Sequence, residues 1–209
     1  MLAQGYRPLE VVVDDGSTDN TAEIIKQYDP EIVRYYYQKK KGQPAARNLC
    51  CRKAQGEFFA WLDADDYYLP GKLTAQMNYL TEHPECEIVF TKFKNFYENE
   101  EERTIIAEKN RIIFSDEIVS HATMLASRSL VEKVGERDES LFVSDDVEWL
   151  NRMALLYDVD ISHGIDYIYM MRRLHVSSNS LKNASSETLN FLLKQRASYC
   201  RKRLAQEKE

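Results

Sequence analysis

The sequence predicts an α/β fold built on a mainly parallel sheet flanked by helices. Three observations carry this. Short apolar or β-branched runs alternate with helical patterns between Leu9 and Phe96, the signature of strand–helix–strand units. The run Phe58-Phe59-Ala60-Trp61-Leu62 lacks polar alternation, as in a strand buried on both faces. Two strands end abruptly in carboxylates, Asp14-Asp15 and Asp63-Ala64-Asp65-Asp66, at the sheet edge where α/β proteins gather their ligands.

The elements follow in order. Leu9 to Val13 is a β-branched strand, and Asp14-Asp15-Gly16-Ser17 is its turn. A helix comes next, with Asn20 as N-cap, Glu23 completing a capping box, and Ile24, Ile25 and Tyr28 as its apolar face. Ile32 to Tyr37 reads as a strand and Pro44 to Ala54 as a helix with proline in its first turn. After the Phe58 strand, Leu73 to Leu80 has helical spacing and Glu87 to Phe96 is a long strand. Tyr97 to Arg103 is acidic and loop-like. Beyond it, Thr123 to Ala126 reads as a strand, Ser129 to Val134 as a short helix, Asp145 to Leu156 as an amphipathic helix and Tyr167 to Leu174 as a strand. The tail from Ser186 reads as a terminal helix.

Composition bounds the function. The 209 residues make one domain or a domain with an appendage, and 44% hydrophobic with 30% charged residues is ordinary for a folded protein. A net charge of −6 argues against a dedicated nucleic-acid binder. No apolar run is long enough to span a bilayer, and the first residues do not form a signal peptide. Cys50, Cys51, Cys86 and Cys200 have no metal-knuckle spacing, so free thiols in a reducing compartment are expected, and with them a soluble, cytoplasmic protein.

Clustered carboxylates at a strand end repel one another and lose hydration. A divalent cation is the simplest relief, and magnesium or manganese held this way keeps positions open for phosphate oxygens. A solvated turn, with Asp66 capping the next segment, is the plainer alternative. A calcium loop lacks its glycine and closing glutamate here.

Four segments, "VVVDDGSTDNT", "GQPAARNL", "AQGEFFAWLDADDYYLPGKL" and "SDDVEWLNRM", taken jointly resemble the family 2 glycosyltransferases, over roughly residues 4–180. The resemblance implies a GT-A, Rossmann-like mixed fold, with residues 1–96 as the nucleotide-sugar-binding half, 97–182 as the acceptor-side half and 183–209 as a C-terminal helix. It implies an inverting transfer from a nucleotide-diphosphate sugar to a hydroxyl of a glycan or lipid-linked acceptor, in glycan or cell-envelope polysaccharide synthesis. Peripheral membrane association and self-association are compatible with that role. Residue by residue, it puts Asp14 or Asp15 at the nucleotide base and Arg47 at the base or diphosphate. Asp65 would be a direct ligand of Mn2+ or Mg2+, with Asp63 nearer the ribose or the ion and His175 a further metal or diphosphate ligand. Asp146, beside Asp145, would be the general base. Without the resemblance, each has a plain role: Asx-turn, paired helix arginine, structural histidine, helix N-terminal carboxylate.

The family opens with a strand, a turn and a helix before the segment matching "AQGYRPLE", so Met1 is expected to fall inside that helix and the donor half to be N-terminally truncated. The alternative reading is a non-catalytic relative serving as a nucleotide-binding or assembly module. Cys50-Cys51 and Glu136-Arg137 also depart from the family's usual residues, at positions expected not to touch the chemistry.

Overall fold

The computed structural model describes residues 4–5, 11–109, 120–141 and 145–175. Seven strands are present there: β1 (Val11–Val13), β2 (Val33–Tyr35), β3 (Phe58–Ala60), β4 (Tyr67–Tyr68), β5 (Ile88–Phe96), β6 (Leu125–Ser127) and β7 (Gly164–Arg173). The helices are α1 (Thr21–Ile25), α2 (Gln43–Lys53), α3 (Lys72–Glu82), α4 (Glu100–Lys109), α5 (Arg128–Val134) and α6 (Asp145–Leu156). The expected terminal helix, like the Cys200 thiol, lies outside the described residues.

The sheet is mixed. β1 and β2 pair in parallel as a two-stranded ribbon, and the other five strands run in the order β3-β6-β5-β7-β4. Within those five, only β5 and β7 are parallel; β3–β6, β5–β6 and β4–β7 are antiparallel. The expectation of a mainly parallel sheet is therefore not met among the described pairings. The physical reason is that β6 inserts between β3 and β5 and reverses the direction on both sides, while β4 returns against β7. Strand order of this kind leaves no mark on local hydrophobic pattern.

The two-faced burial expected of β3 is present. Phe59 and Trp61 join a core with Ile88, Phe90, Met124, Leu130, Trp149 and Met153. Phe58, Ala60 and Leu62 pack against a second core of Tyr68, Leu73, Val89, Phe93 and Met170. Successive residues of β3 and β5 thus alternate between two hydrophobic layers. Ser127 caps α5 through its hydroxyl, which accepts the Leu130 N–H at 3.2 Å. The Trp149 indole of α6 donates to the Gly135 carbonyl just beyond α5 at 2.8 Å, which fixes the two helices and the loop between them.

Three local expectations change. Asn20 makes no side-chain cap; Asp19 does the work, its Oδ1 accepting the Thr21 N–H at 3.0 Å. Ile24 and Tyr28 are exposed rather than packed. The acidic stretch after Tyr97 enters α4, because Asn99 Oδ1 accepts the Glu102 N–H at 2.8 Å and three glutamates in the first turn suit the helix dipole. Cys50, Cys51 and Cys86 are free thiols, and burial pushes the Cys50 thiol up to about 11. No helix among the described residues is long and apolar enough to cross a membrane.

One charge is buried in the second core. Lys72 is 0% exposed; its Nζ donates to Gln76 Oε1 at 2.7 Å and lies 4.1 Å from the Tyr68 ring centroid. Gln76 in turn donates to the Val89 and Thr123 carbonyls, each at 2.9 Å. Burial pushes the Lys72 ammonium down to about 7, whereas in the unfolded chain it titrates near about 10.4. Between those values the unfolded state holds the extra proton, so stability rises with pH through that window. Urea unfolding of the parent protein should gain about 2 kcal/mol relative to Lys72→Met between pH 7.5 and 9.5. Parallel pH profiles for the two proteins would show that the lysine is not buried in this way.

Candidate functional site

β1 and β3 deliver two carboxylate groups, and α2 links them. After Val13 the chain turns at Asp14, whose φ of 113° is a strained conformation for a residue with a side chain. The turn is held by its own carboxylate: Oδ1 accepts the Ser17 N–H and hydroxyl, both at 2.9 Å, and Oδ2 accepts the Tyr35 hydroxyl at 2.7 Å. Burial works against ionisation of Asp14, but the Ser17 and Tyr35 bonds outweigh it and keep the carboxyl below its ordinary range. The same bond pushes the Tyr35 phenol up to about 12.

Asp15 holds the next loop. Its oxygens accept Gln38 Nε2 at 2.6 Å and the N–H groups of Lys41 at 3.0 Å and Gly42 at 2.9 Å. Gly16, at φ 77°, lies against the same loop; a Cβ there would come within 2.6 Å of the Lys40 nitrogen. Both acidic residues after β1 therefore shape the turn and set the start of α2.

Arg47 of α2 is 8% exposed. Its Nη1 donates to both oxygens of Asp145, at 3.0 and 2.9 Å, and its Nη2 to Asp63 Oδ1 at 3.2 Å. Gln43, one turn earlier, donates to the same Asp63 oxygen at 3.3 Å. The next residue, Asn48, clamps the loop after α5: its Nδ2 donates to the Arg137 carbonyl at 3.0 Å and its Oδ1 accepts the Arg137 N–H at 2.8 Å. One pair of helical residues thus fixes the end of β3, the start of α6 and the loop between α5 and α6.

The turn beyond Asp63 closes through the Asp66 N–H on the Asp63 carbonyl, at 3.1 Å. Asp66 does not cap the following segment. Its Oδ1 accepts the Arg173 N–H at 2.8 Å, tying the turn to the end of β7. Burial, with Asp65 and Asp63 adding to it against the pull of the Arg173 bond, pushes Asp66 up to about 7. Two residues past Arg173, His175 Nε2 stands 3.3 Å from Asp65 Oδ2, both side chains part-exposed. Arg172 and Arg173 serve the fold: Arg172 donates to Asn95 Oδ1 at 2.8 Å and covers Phe93, and Arg173 pairs with Glu98.

No group of three or more metal-ligating side chains occurs among the described residues. Asp65 and His175 nevertheless fit a divalent cation that binds together with a diphosphate, since such ions take one or two protein ligands and fill the rest with phosphate oxygens and water.

The two carboxylates opening α6 differ sharply. Asp145 is 2% exposed and engaged by Arg47. Asp146 is part-exposed and takes the Val147 N–H at 2.9 Å. Burial raises its pKa, with Asp145 adding to the rise and Arg47 opposing it. A carboxylate raised in this way is a better proton acceptor than a solvated one. Arg137, at a position expected not to touch the chemistry, is a neighbour of this pair: its Nε lies 3.8 Å from Asp145 Oδ2.

Removing one partner of a buried ion pair strands the other. Asp145→Ala should lower the unfolding free energy by about 3–5 kcal/mol, whereas Asp146→Asn should change it by less than about 1 kcal/mol. Equal losses in urea titrations would mean that the two residues are not divided between scaffold and site.

A family model described as Glycosyl transferase family 2 matches residues 1–135. Escherichia coli UDP-Glc:alpha-D-GlcNAc-diphosphoundecaprenol beta-1,3-glucosyltransferase WfaP is 27% identical over 187 residues, covering 87% of this chain and 73% of WfaP. The uncharacterized glycosyltransferase MJ1057 of Methanocaldococcus jannaschii is 26% identical over 190 residues, 86% of this chain and 64% of that protein. The crystal structure of S. aureus TarS 1-349 in complex with UDP superposes with a TM-score of 0.69 at 19% identity, over 95% of this chain and 59% of that one. The likeness to TarS is one of fold. The chain spans about three quarters of WfaP but less than two thirds of MJ1057 and of the TarS fragment.

Proposed function

Because the chain belongs to glycosyltransferase family 2, with the GT-A fold, we propose that it transfers a sugar from a nucleotide-diphosphate donor to a hydroxyl on a glycan or lipid-linked acceptor. The observation that carries this is the Arg47 bridge, which holds the β3-end carboxylate Asp63 and the α6-start carboxylate Asp145 on one guanidinium. A donor side and a base side thereby share one edge of the fold. The names of the relatives support the chemistry: WfaP is a UDP-Glc-dependent enzyme acting on a diphosphoundecaprenol-linked sugar, and TarS was crystallised with UDP. Cell-envelope glycan synthesis in the cytoplasm, at the membrane surface, is the setting this favours.

In this reading residues 1–96 receive the donor and 97–182 the acceptor. The turn built by Asp14 and Asp15 receives the nucleotide base, and Asp63 lies nearer the ribose or the ion. Asp65 and His175 would hold Mn2+ or Mg2+, which would supply Lewis-acid neutralisation of the charge on a departing nucleoside diphosphate. Asp146 takes the proton of the acceptor hydroxyl as its oxygen bonds to the anomeric carbon, and the bond from that carbon to the diphosphate oxygen breaks. Attack from the face opposite the leaving group inverts the anomeric centre.

A panel of nucleotide sugars assayed for nucleotide release, with and without manganese, tests the transfer. Asp146→Asn should reduce turnover by roughly two to four orders of magnitude, while nucleoside-diphosphate affinity by calorimetry stays within a few-fold, because deprotonation belongs to the transition state. Near-parent turnover in that variant would remove Asp146 as the base.

A further inference from the structure

The loop between α5 and α6 carries a buried arginine whose terminal nitrogens meet no hydrogen-bond acceptor among the described residues. Arg137 is 4% exposed, and its guanidinium lies 4.4 Å from the Trp149 ring centroid and 5.4 Å from that of Trp61. Two aromatic faces and the Asn48 clamp on its backbone leave it little freedom. Its ion-pair partner among the described residues is Asp145, at 3.8 Å, too long for a hydrogen bond. Both oxygens of that carboxylate already accept from Arg47. Arg137 Nη1 and Nη2 have no hydrogen-bond partner among the described residues. His121, its ring 5.1 Å from that of Trp61, also carries a buried Nε2 without a hydrogen-bond partner among the described residues.

Two parallel guanidinium donors left unmet in a dry setting are costly, and an oxyanion satisfies both at once in a fork. The position is the base side of the site, since Arg137 touches the carboxylate next to Asp146 and its charge reaches Asp146 itself. We infer that Arg137 forms a buried oxyanion subsite that selects an acceptor carrying a carboxylate or a phosphate close to the hydroxyl that reacts. This rests on the transferase reading for the word acceptor, but the subsite itself can be tested without donor or metal.

Trp61 and Trp149 are the two tryptophans of the chain, so intrinsic emission reports directly on the Arg137 environment. The full chain is titrated at constant ionic strength with glucuronate, glucose 1-phosphate, inorganic phosphate and glucose. A saturable emission change with the anions and none with glucose is expected. Glucuronate alone would identify a sugar carboxylate, and the two phosphate compounds a phosphate. Arg137→Met should abolish saturation, and Arg137→Lys, which keeps the charge but not the fork, should weaken it at least about tenfold. If Arg137→Met does not fold, the lysine variant carries the comparison. No response in the parent, an equal response to glucose, or a response unaltered in the folded variants would overturn the subsite. A chain that responds to anions yet releases nucleotide from no donor sinks the transferase reading and leaves the subsite standing; the reverse pattern does the opposite.

Discussion

Arg47 sits at the crossing point of the molecule, with Asp63 on one nitrogen and Asp145 on another. Taking a guanidinium and a carboxylate out of water costs several kcal/mol each, and their attraction offsets this only with good geometry. Such a pair is a poor way to gain stability. It is an effective way to fix position, because a displaced partner leaves an uncompensated buried charge. The end of β3 and the start of α6 are far apart in sequence, yet neither can drift from α2 without breaking this contact.

The division of labour among the carboxylates follows. Asp145 is spent on Arg47, so its neighbour Asp146, part-exposed and held by one backbone N–H, is the residue left with proton affinity to use. The same logic runs through the turn at Asp63. Asp66 is spent on the Arg173 backbone, which carries β7 and His175 up against Asp65. After β1, Asp14 and Asp15 are spent on the turn and the α2 loop. At each strand end, carboxylates hold the backbone and thereby place a second group at the site edge.

Much of this was legible in the sequence. α6 spans Asp145–Leu156 as its spacing predicts, since Trp149, Leu150 and Met153 repeat at helical intervals and bury one face. The unbroken apolar run of β3 announced burial on both faces. What stayed hidden depends on long-range partners. β4 is a two-residue strand that exists through pairing with β7. The position of β6 between β3 and β5 is a matter of topology, not of local pattern. α4 reads as loop because its glutamates look solvated, until Asn99 caps them and Ile106 is buried. Arg137 looked peripheral because nothing in a linear reading shows Trp61, Trp149 and Asp145 converging on it.

Arg47 and Asp145 must act as one unit if they hold the two carboxylate groups on one edge. A double-mutant cycle with Arg47→Met and Asp145→Ala, read by urea unfolding, measures this directly. The two single variants should each lose several kcal/mol and the double variant little more than either alone, giving a coupling of about 3 kcal/mol. Losses that add within about 0.5 kcal/mol would mean that the two residues are independent, and that something other than this guanidinium holds the two carboxylate groups on one edge.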